Sequence, residues 1–186
     1  HRIRGEKVDL KNQEETHQVV KELETATYIV AEVKRGTRQR RPAPPYITST
    51  MQQEASRRLG FTARRTMTVA QQLYEGIEIG DQGLVGLITY MRTDSVNVAE
   101  IAQKEARSFI AEQYGDEFLP PKPPFYKTRA KKAQEAHEAI RPTSVRRQPK
   151  TIKQYLNRDQ YRLYDLIWRR FVASQMAPAI FDTISV

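Results

Sequence analysis

The sequence predicts a mainly helical protein with flanking β strands, an α+β arrangement of more than one domain. Amphipathic windows that follow a polar capping residue and end at glycine or proline indicate helices through the middle of the chain. Stretches rich in β-branched residues near both ends indicate strands. Clusters of proline and arginine near residues 42 and 146 indicate domain boundaries. The parts expected are residues 1–41, 42–145, 146–178 and 179–186.

The first part is expected to contain one helix and one strand. Asn12 and Glu15 have the spacing of a capping box, which opens a helix ending near Leu23. Residues 25–33 alternate and are rich in β-branched and aromatic side chains, so they predict a strand. The prolines that begin at Pro42 prevent regular structure and separate this part from the next.

Two helices joined by a short turn are expected next. A capping box at residues 49–52 opens a helix that ends at Gly60, and Thr62 caps a second helix that ends near Glu75. The pair has the form of a helix-turn-helix unit, so a non-catalytic DNA-binding module is an alternative function. Helix pairs with a glycine turn also occur in proteins that bind no DNA. The arginines that crowd the turn are Arg57, Arg58, Arg64 and Arg65.

The second half of the chain predicts two strands and three helices. A short apolar run bounded by glycines and hydroxyl residues predicts a buried strand. A capping box, an alanine-rich run ended by Pro142 and a broad apolar face predict the three helices. The predicted strands are residues 84–90 and 180–186, and the predicted helices are residues 97–114, 131–141 and 159–176.

Tyr90 and Arg92 are the pair of greatest chemical interest. They lie two apart, so in an extended backbone their side chains leave the same face and can converge on one anion. A phosphodiester is the obvious candidate. A phenol with a pKa of about 10 is a weak nucleophile at neutral pH, and an adjacent arginine or metal would favour the phenolate. By spacing alone, a tyrosine in an apolar strand is more often a half-buried core residue.

The formal charge of +9 is concentrated in two windows. Residues 34–65 hold nine basic side chains against one acid, and residues 122–153 hold ten against two. This clustering is typical of proteins that bind a phosphate backbone, although a solvated basic face would look similar. The chain has no cysteine, which excludes disulfides and thiolate zinc sites. No apolar run approaches the roughly 18 residues that span a membrane.

Three segments resemble, in the same order, motifs of the type IA DNA topoisomerases, and most closely those of the bacterial members. We call them the proline segment (residues 44–50), the tyrosine segment (residues 87–95) and the histidine segment (residues 133–143). The run at residues 70–75 fits the same family. The tyrosine segment reads Leu87-Ile88-Thr89-Tyr90-Met91-Arg92-Thr93-Asp94-Ser95.

The resemblance implies an isomerase that cuts one DNA strand through a 5′-phosphotyrosine intermediate, allows strand passage and religates, relaxing negative supercoils. It makes Tyr90 the nucleophile and Arg92 the side chain that grips the scissile phosphate. His137 becomes a catalytic positioning group, although a lone histidine on a helix is more often simply exposed. Glu75 would orient Arg92. The further DNA contacts implied are Thr93, Ser95, Arg141 and Gln71.

The family needs Mg²⁺ but no ATP. Its magnesium ligands belong to a Toprim domain whose acidic motif this chain lacks, so no metal ligand is assigned here. The resemblance therefore implies an internal fragment, inactive alone, whose helical domain at residues 42–145 is inserted between parts of a toroidal gate. The expected partners are single-stranded or negatively supercoiled DNA and the Toprim domain of the same protein. A monomer in the bacterial cytoplasm, away from membranes, is expected.

A tyrosine recombinase would also use tyrosine, arginine and histidine on DNA. Such an enzyme would need its second arginine and its histidine motif well before the tyrosine. Here His137 and Arg141 follow Tyr90, so the order of the residues argues against this class.

Overall fold

The structure is a computed structural model that describes residues 2–3, 6–7, 9–126 and 138–186. Helices alternate with short strands, so the predicted mixture of helix and strand is confirmed. The chain divides into two compact units, residues 1–38 with 182–186 and residues 39–181. Within the described ranges, every helix is too short or too polar to cross a membrane.

The first unit combines a helix with short strands. β1 (Arg2–Ile3) and β2 (Glu6–Lys7) form an antiparallel pair. α1 (Gln13–Glu24) begins where the Asn12 side chain accepts a hydrogen bond from Glu15 N–H at 2.8 Å. The predicted capping residue and the helix are therefore both confirmed.

The strand predicted at residues 25–33 is wrong. Residues 26–33 have no regular structure, and β3 is the polar stretch that follows, Lys34–Arg40. β3 is hydrogen-bonded to the last strand of the chain, Ala179–Ser185, which the sequence did predict. Strand propensity describes side chains that suit a pleated surface, whereas a strand forms only where a partner supplies the hydrogen bonds.

In the described part of the second unit there are four α-helices, all at predicted places with shifted ends. α2 ends at Gly60, whose φ of 69° lies in the left-handed region that favours glycine. Thr62 caps α3 by accepting from Arg65 N–H at 3.2 Å. The helices are α2 (Thr48–Leu59), α3 (Ala63–Glu75), α4 (Glu100–Tyr114) and α5 (Arg158–Ser174).

Two predicted helix starts are corrected. α2 begins at Thr48 after Ile47, whose N–H donates to the Thr50 hydroxyl at 3.0 Å. α4 follows Ala99, which provides no side-chain cap, so Asn97 is not the capping residue. The backbone N–H and carbonyl of Asn97 instead form hydrogen bonds with residues of the tyrosine and histidine segments.

The predicted strand at residues 84–90 is much shorter in the structure. β4 (Ile77–Glu78) and β5 (Leu84–Val85) form a small antiparallel pair. The chain after β5 is irregular, with an isolated bridge between Ile88 and Pro142. The segment has single partners on either side and no continuous neighbouring strand, so no longer ladder forms.

The predicted helix at residues 131–141 falls mostly outside the described residues. Its last part, residues 138–141, is not helical, because Ile140 forms a bridge with Tyr46. Proline at position 142 disfavours helical geometry in the residue before it. Residues 138–143 are the described end of the histidine segment.

The core of the second unit joins α5 to the other helices. The buried face of α5 packs on α2 and α3. The Trp168 ring of α5 meets the Phe109 ring of α4 edge-on, with 5.7 Å between the ring centroids. The unit therefore continues past residue 145, the boundary expected from sequence, and includes residues 146–178. The largest fully buried side chains are Tyr164, Phe61, Phe171, Met51, Leu73, Leu87, Ile88, Met91, Ile110, Ile140, Leu163 and Ile167.

Candidate active site around Tyr90

The tyrosine segment starts in close contact with the end of α3. Leu87 N–H donates to Leu73 O at 2.7 Å. A Cβ added to Gly86 would lie 2.8 Å from Tyr74 O, a backbone atom that cannot rotate away. Only glycine allows this approach. The end of α3 therefore fixes where the tyrosine segment begins.

Exposed and buried side chains alternate from residue 90 onward. Tyr90 is 46% exposed and Arg92 is also exposed, whereas Met91, Thr93 and Ser95 are buried. The backbone bends at residues 89, 91 and 92, so this alternation is not that of a regular strand. Tyr90 and Arg92 are therefore both exposed, and their convergence on one anion stays a prediction.

The Tyr90 ring packs edge-on against Tyr74 of α3. The ring centroids are 5.3 Å apart and the planes cross at 63°. This geometry is a favourable aromatic arrangement and restricts where the Tyr90 ring can lie. Within the described residues, neither the Tyr90 hydroxyl nor the Arg92 guanidinium has a hydrogen bond or ion pair to another group. Both polar groups are available to a ligand there.

The proline segment holds the tyrosine segment from one side through Thr48, the first residue of α2. Thr48 N–H donates to Thr93 O at 3.0 Å. Its hydroxyl donates to Met91 O at 2.8 Å and accepts from Thr93 N–H at 2.9 Å. The beginning of α2 is therefore tied to the backbone on both sides of Arg92.

The described end of the histidine segment holds the tyrosine segment from the other side. Thr89 N–H donates to Arg141 O at 2.9 Å. The Thr89 hydroxyl donates to Ala139 O at 2.7 Å and accepts from Arg141 N–H at 2.9 Å. Ile140 N–H donates to Tyr46 O at 2.8 Å, which links the histidine segment to the proline segment. The three segments therefore meet in one hydrogen-bonded cluster.

Arg141, which the resemblance implied as a DNA contact, has its side chain in an ion pair within its own segment. Its side chain is 11% exposed and pairs with the Glu138 carboxylate at 2.6 Å. The guanidinium also donates to Pro142 O at 3.0 Å. These contacts stabilise the turn, and the contact of Arg141 with DNA stays a prediction.

The Thr93 and Ser95 side chains also form hydrogen bonds within the chain. The Thr93 hydroxyl accepts from Ser95 N–H at 3.1 Å, and the Ser95 hydroxyl accepts from Asn97 N–H at 3.1 Å. Ser95 is 0% exposed. In this conformation the two hydroxyls shape the turn that leads to α4, and Ser95 presents no surface to DNA.

Gln71 and Glu75, the two site candidates on α3, are hydrogen-bonded to each other. Gln71 donates its side-chain amide to the Glu75 carboxylate. Within the described residues Glu75 makes no bond to Arg92, so its expected orienting contact is not seen. The remaining candidate, His137, lies outside the described residues.

Sequence reasoning missed Thr48, Thr89 and Tyr74. Thr48 and Thr89 both lie inside segments that resemble the family, so a hydroxyl within each motif was the signal available. Tyr74 likewise lies in the run at residues 70–75 that fits the family, but its place beside Tyr90 could not be read from the sequence. Its contact with Tyr90 depends on the turn through β4 and β5 that brings the chain back to α3.

Tyr46 is a second tyrosine in the cluster, but its surroundings suit a structural role. It is 2% exposed, and the Arg170 guanidinium lies 4.6 Å from its ring centroid. Burial raises the pKa of Tyr46, although the charge of Arg170 opposes the shift. A buried phenol with a raised pKa is a poor nucleophile, so Tyr90 is the better candidate of the two.

The described residues do not fit the magnesium ion that the resemblance implies. Among them, no three His, Cys, Asp or Glu side chains group together as metal ligands. Magnesium sites in proteins need carboxylates together with further oxygen ligands in octahedral geometry.

Comparisons with known proteins agree on one family. A family model described as DNA topoisomerase matches residues 2–186. DNA topoisomerase 1 of Xylella fastidiosa, from strains Temecula1 and 9a5c, is 59% identical over 157 residues, 84% of this chain and 19% of each relative. The structure of full-length topoisomerase I from Thermotoga maritima matches with a TM-score of 0.76 and 43% identity. That match covers 90% of this chain and 26% of the Thermotoga chain.

The chain belongs to the DNA topoisomerase family, and the resemblance to the type IA enzymes is confirmed. Its relatives named here are bacterial proteins of the topoisomerase I group. The chain spans 19% of the length of the Xylella relatives.

Proposed function

We propose that this chain supplies the DNA-cleaving tyrosine of a type IA topoisomerase. The observation that carries the proposal is the joint exposure of Tyr90 and Arg92 on a backbone held from both sides. A nucleophile and a phosphate-binding guanidinium on one anchored segment are suited to attack on a phosphodiester. Family membership supports the same chemistry.

In the proposed reaction, Tyr90 Oη attacks the phosphorus of one DNA strand. A bond forms between Oη and phosphorus, the bond between phosphorus and the 3′ oxygen breaks, and the 5′ phosphate becomes linked to the tyrosine. The phenol proton passes to solvent or a base, while the departing 3′ oxygen takes up a proton. In religation, the 3′ hydroxyl attacks the phosphotyrosine ester and restores both Tyr90 and the DNA strand. The ester conserves the energy of the bond, so no ATP is consumed.

Arg92 would stabilise the negative charge that grows on the non-bridging phosphate oxygens. A guanidinium can donate two parallel hydrogen bonds to such oxygens, which a lysine cannot reproduce. Gln71, partly exposed on α3, remains a candidate for DNA contact, and His137 remains a candidate positioning group. Thr93, Ser95 and Arg141 are proposed to hold the site in shape.

The rest of the reaction is proposed to depend on parts of the protein beyond these residues. A Toprim domain would hold Mg²⁺, since the described residues do not fit that ion. The substrate would be single-stranded DNA exposed by negative supercoiling, and the two basic windows support binding to its phosphates. The protein is proposed to act as a monomer.

Replacement of single tyrosines in the full-length protein tests the proposal. Tyr90→Phe should abolish cleavage and relaxation of a negatively supercoiled plasmid, with DNA affinity largely kept. Tyr74→Phe is the matched control, because it removes a neighbouring exposed phenol and keeps the aromatic edge contact. Relaxation by Tyr90→Phe at the wild-type rate would refute the proposed nucleophile.

The 186-residue chain alone is expected to bind single-stranded DNA weakly and neither to cleave nor to relax it. Plasmid relaxation by the purified chain would contradict this. Binding by the full-length protein with no cleavage under any condition would favour the helix-turn-helix alternative.

A further inference from the structure

One hydroxyl group fastens both peptide units that flank Arg92. The Thr48 Oγ1 atom lies 2.8 Å from Met91 O, in the peptide before Arg92, and 2.9 Å from Thr93 N, in the peptide after it. Thr48 therefore bridges the two peptides that set the direction of the Arg92 side chain.

The hydrogen-bonding capacity of this hydroxyl fits that arrangement. A hydroxyl has one proton to donate and two lone pairs to accept with. Thr93 O, at 3.1 Å, is the longer of two possible acceptors and already receives the Thr48 N–H at 3.0 Å. The proton is therefore assigned to Met91 O, and a lone pair to Thr93 N–H. Among the described residues, no other side chain accepts from Thr93 N–H and donates to Met91 O.

We propose that Thr48 is a positioning residue for Arg92 in DNA cleavage. The inference rests on the proposed function of Tyr90 and Arg92. Arg92 is exposed and, within the described residues, its guanidinium has no partner that would direct it. Its backbone is then the part that determines where the guanidinium meets the phosphate, and small displacements from a productive geometry are costly in rate.

The chain offers a closely matched control in Thr50. Both threonines lie in the first turn of α2, both are partly buried, and both hydroxyls hydrogen-bond to backbone groups. Among the residues that the structure describes, the Thr50 hydroxyl bonds only to Ile47, at 3.0 Å to its N–H and 3.2 Å to its carbonyl. Thr50→Val therefore removes a hydroxyl from the same helix turn without touching the backbone around Arg92.

The test measures single-turnover cleavage of a saturating, end-labelled single-stranded oligonucleotide by the full-length protein with Mg²⁺. Thr48→Val should slow formation of the covalent adduct by about tenfold to a hundredfold. Its dissociation constant for the oligonucleotide should stay within about threefold of wild type, because the change acts on the reacting geometry. Thr48→Ser, which keeps the hydroxyl, should restore most of the rate, and Thr50→Val should cleave within about threefold of wild type.

Two results would overturn the inference: equal cleavage rates for Thr48→Val and Thr50→Val, or a Thr48→Ser rate as low as that of Thr48→Val. If Thr48→Val does not fold, Thr48→Cys replaces it, since a thiol is a weak hydrogen-bonding group and the same loss is expected. The wild-type protein separates the two hypotheses. Adduct formation by wild type with no specific effect at Thr48 refutes the positioning role alone, whereas no adduct in wild type refutes the proposed function.

Discussion

Gly86→Ala is expected to damage both the fold and the site, because there is no room for a side chain where the tyrosine segment meets α3. The added Cβ would lie 2.8 Å from the backbone oxygen of Tyr74. Ordinary contacts begin at about 3.4 Å, so the tyrosine segment and α3 must separate by roughly half an ångström. That displacement would act on the Leu87 hydrogen bond to Leu73, which is 2.7 Å long, and on the Tyr74 ring that packs against Tyr90.

Overpacking of this kind costs about 1–3 kcal/mol in the free energy of unfolding. For a chain of this length, the corresponding fall in Tm is roughly 3–10 °C, measured by circular dichroism. Gly36→Ala is the control, since its Cβ would meet only the Thr183 hydroxyl at 3.5 Å, an ordinary contact. Equal Tm values for the two variants would refute the reasoning, and so would a Gly86→Ala protein as stable as wild type.

Three further changes separate structural from chemical roles. Tyr164→Phe should lower the free energy of unfolding by about 1 kcal/mol at pH 7 in urea titrations, because the phenol donates to Arg147 O at 2.7 Å. Burial raises the pKa of Tyr164, so above about pH 10 the phenol loses its proton in the unfolded state first, and the free energy of unfolding of the wild type should fall. An identical alkaline loss in Tyr164→Phe would contradict this assignment. Arg141→Met should lower the free energy of unfolding by about 2 kcal/mol, because it leaves the Glu138 carboxylate unpaired, and the dissociation constant for DNA should be nearly unchanged. A large loss of DNA affinity at unchanged stability would instead favour the phosphate contact. Arg92→Lys should keep the Tm and lose at least about tenfold in single-turnover cleavage, since a point charge does not replace the guanidinium fork; full activity of Arg92→Lys would count against its role.

The helices could be predicted from sequence because their signals are local. Asn12 and Thr62 cap the helices they were expected to cap, and Gly60 ends α2 in the left-handed conformation. These positions depend on a few neighbouring residues, so the sequence window contains the information required.

The strand predictions failed where strand formation depends on partners distant in the sequence. Residues 26–33 have the composition of a strand, yet it is the polar stretch Lys34–Arg40 that pairs with the end of the chain. Residues 84–90 likewise have only two residues in a strand, because single hydrogen bonds to other segments replace a ladder.

The sequence names candidate reacting residues but not the contacts that support them. Tyr90 and Arg92 are both exposed, but the backbone bends at residues 91 and 92, so the shared face expected from their spacing stays a prediction. The burial of Arg141 against Glu138 and the contact of Thr48 with residues 91 and 93 depend on tertiary packing. A motif indicates which residues gather at a site, whereas the structure is needed to divide them between holding and reacting.

Mapping the covalent link between protein and DNA tests the central claim most directly. The full-length protein is incubated with Mg²⁺ and end-labelled single-stranded DNA, trapped with denaturant, digested and analysed by mass spectrometry. We predict a nucleotide adduct on Tyr90 that disappears in Tyr90→Phe and persists in Tyr74→Phe. An adduct on any other residue, or one that survives in Tyr90→Phe, would contradict the assignment of Tyr90 as the nucleophile.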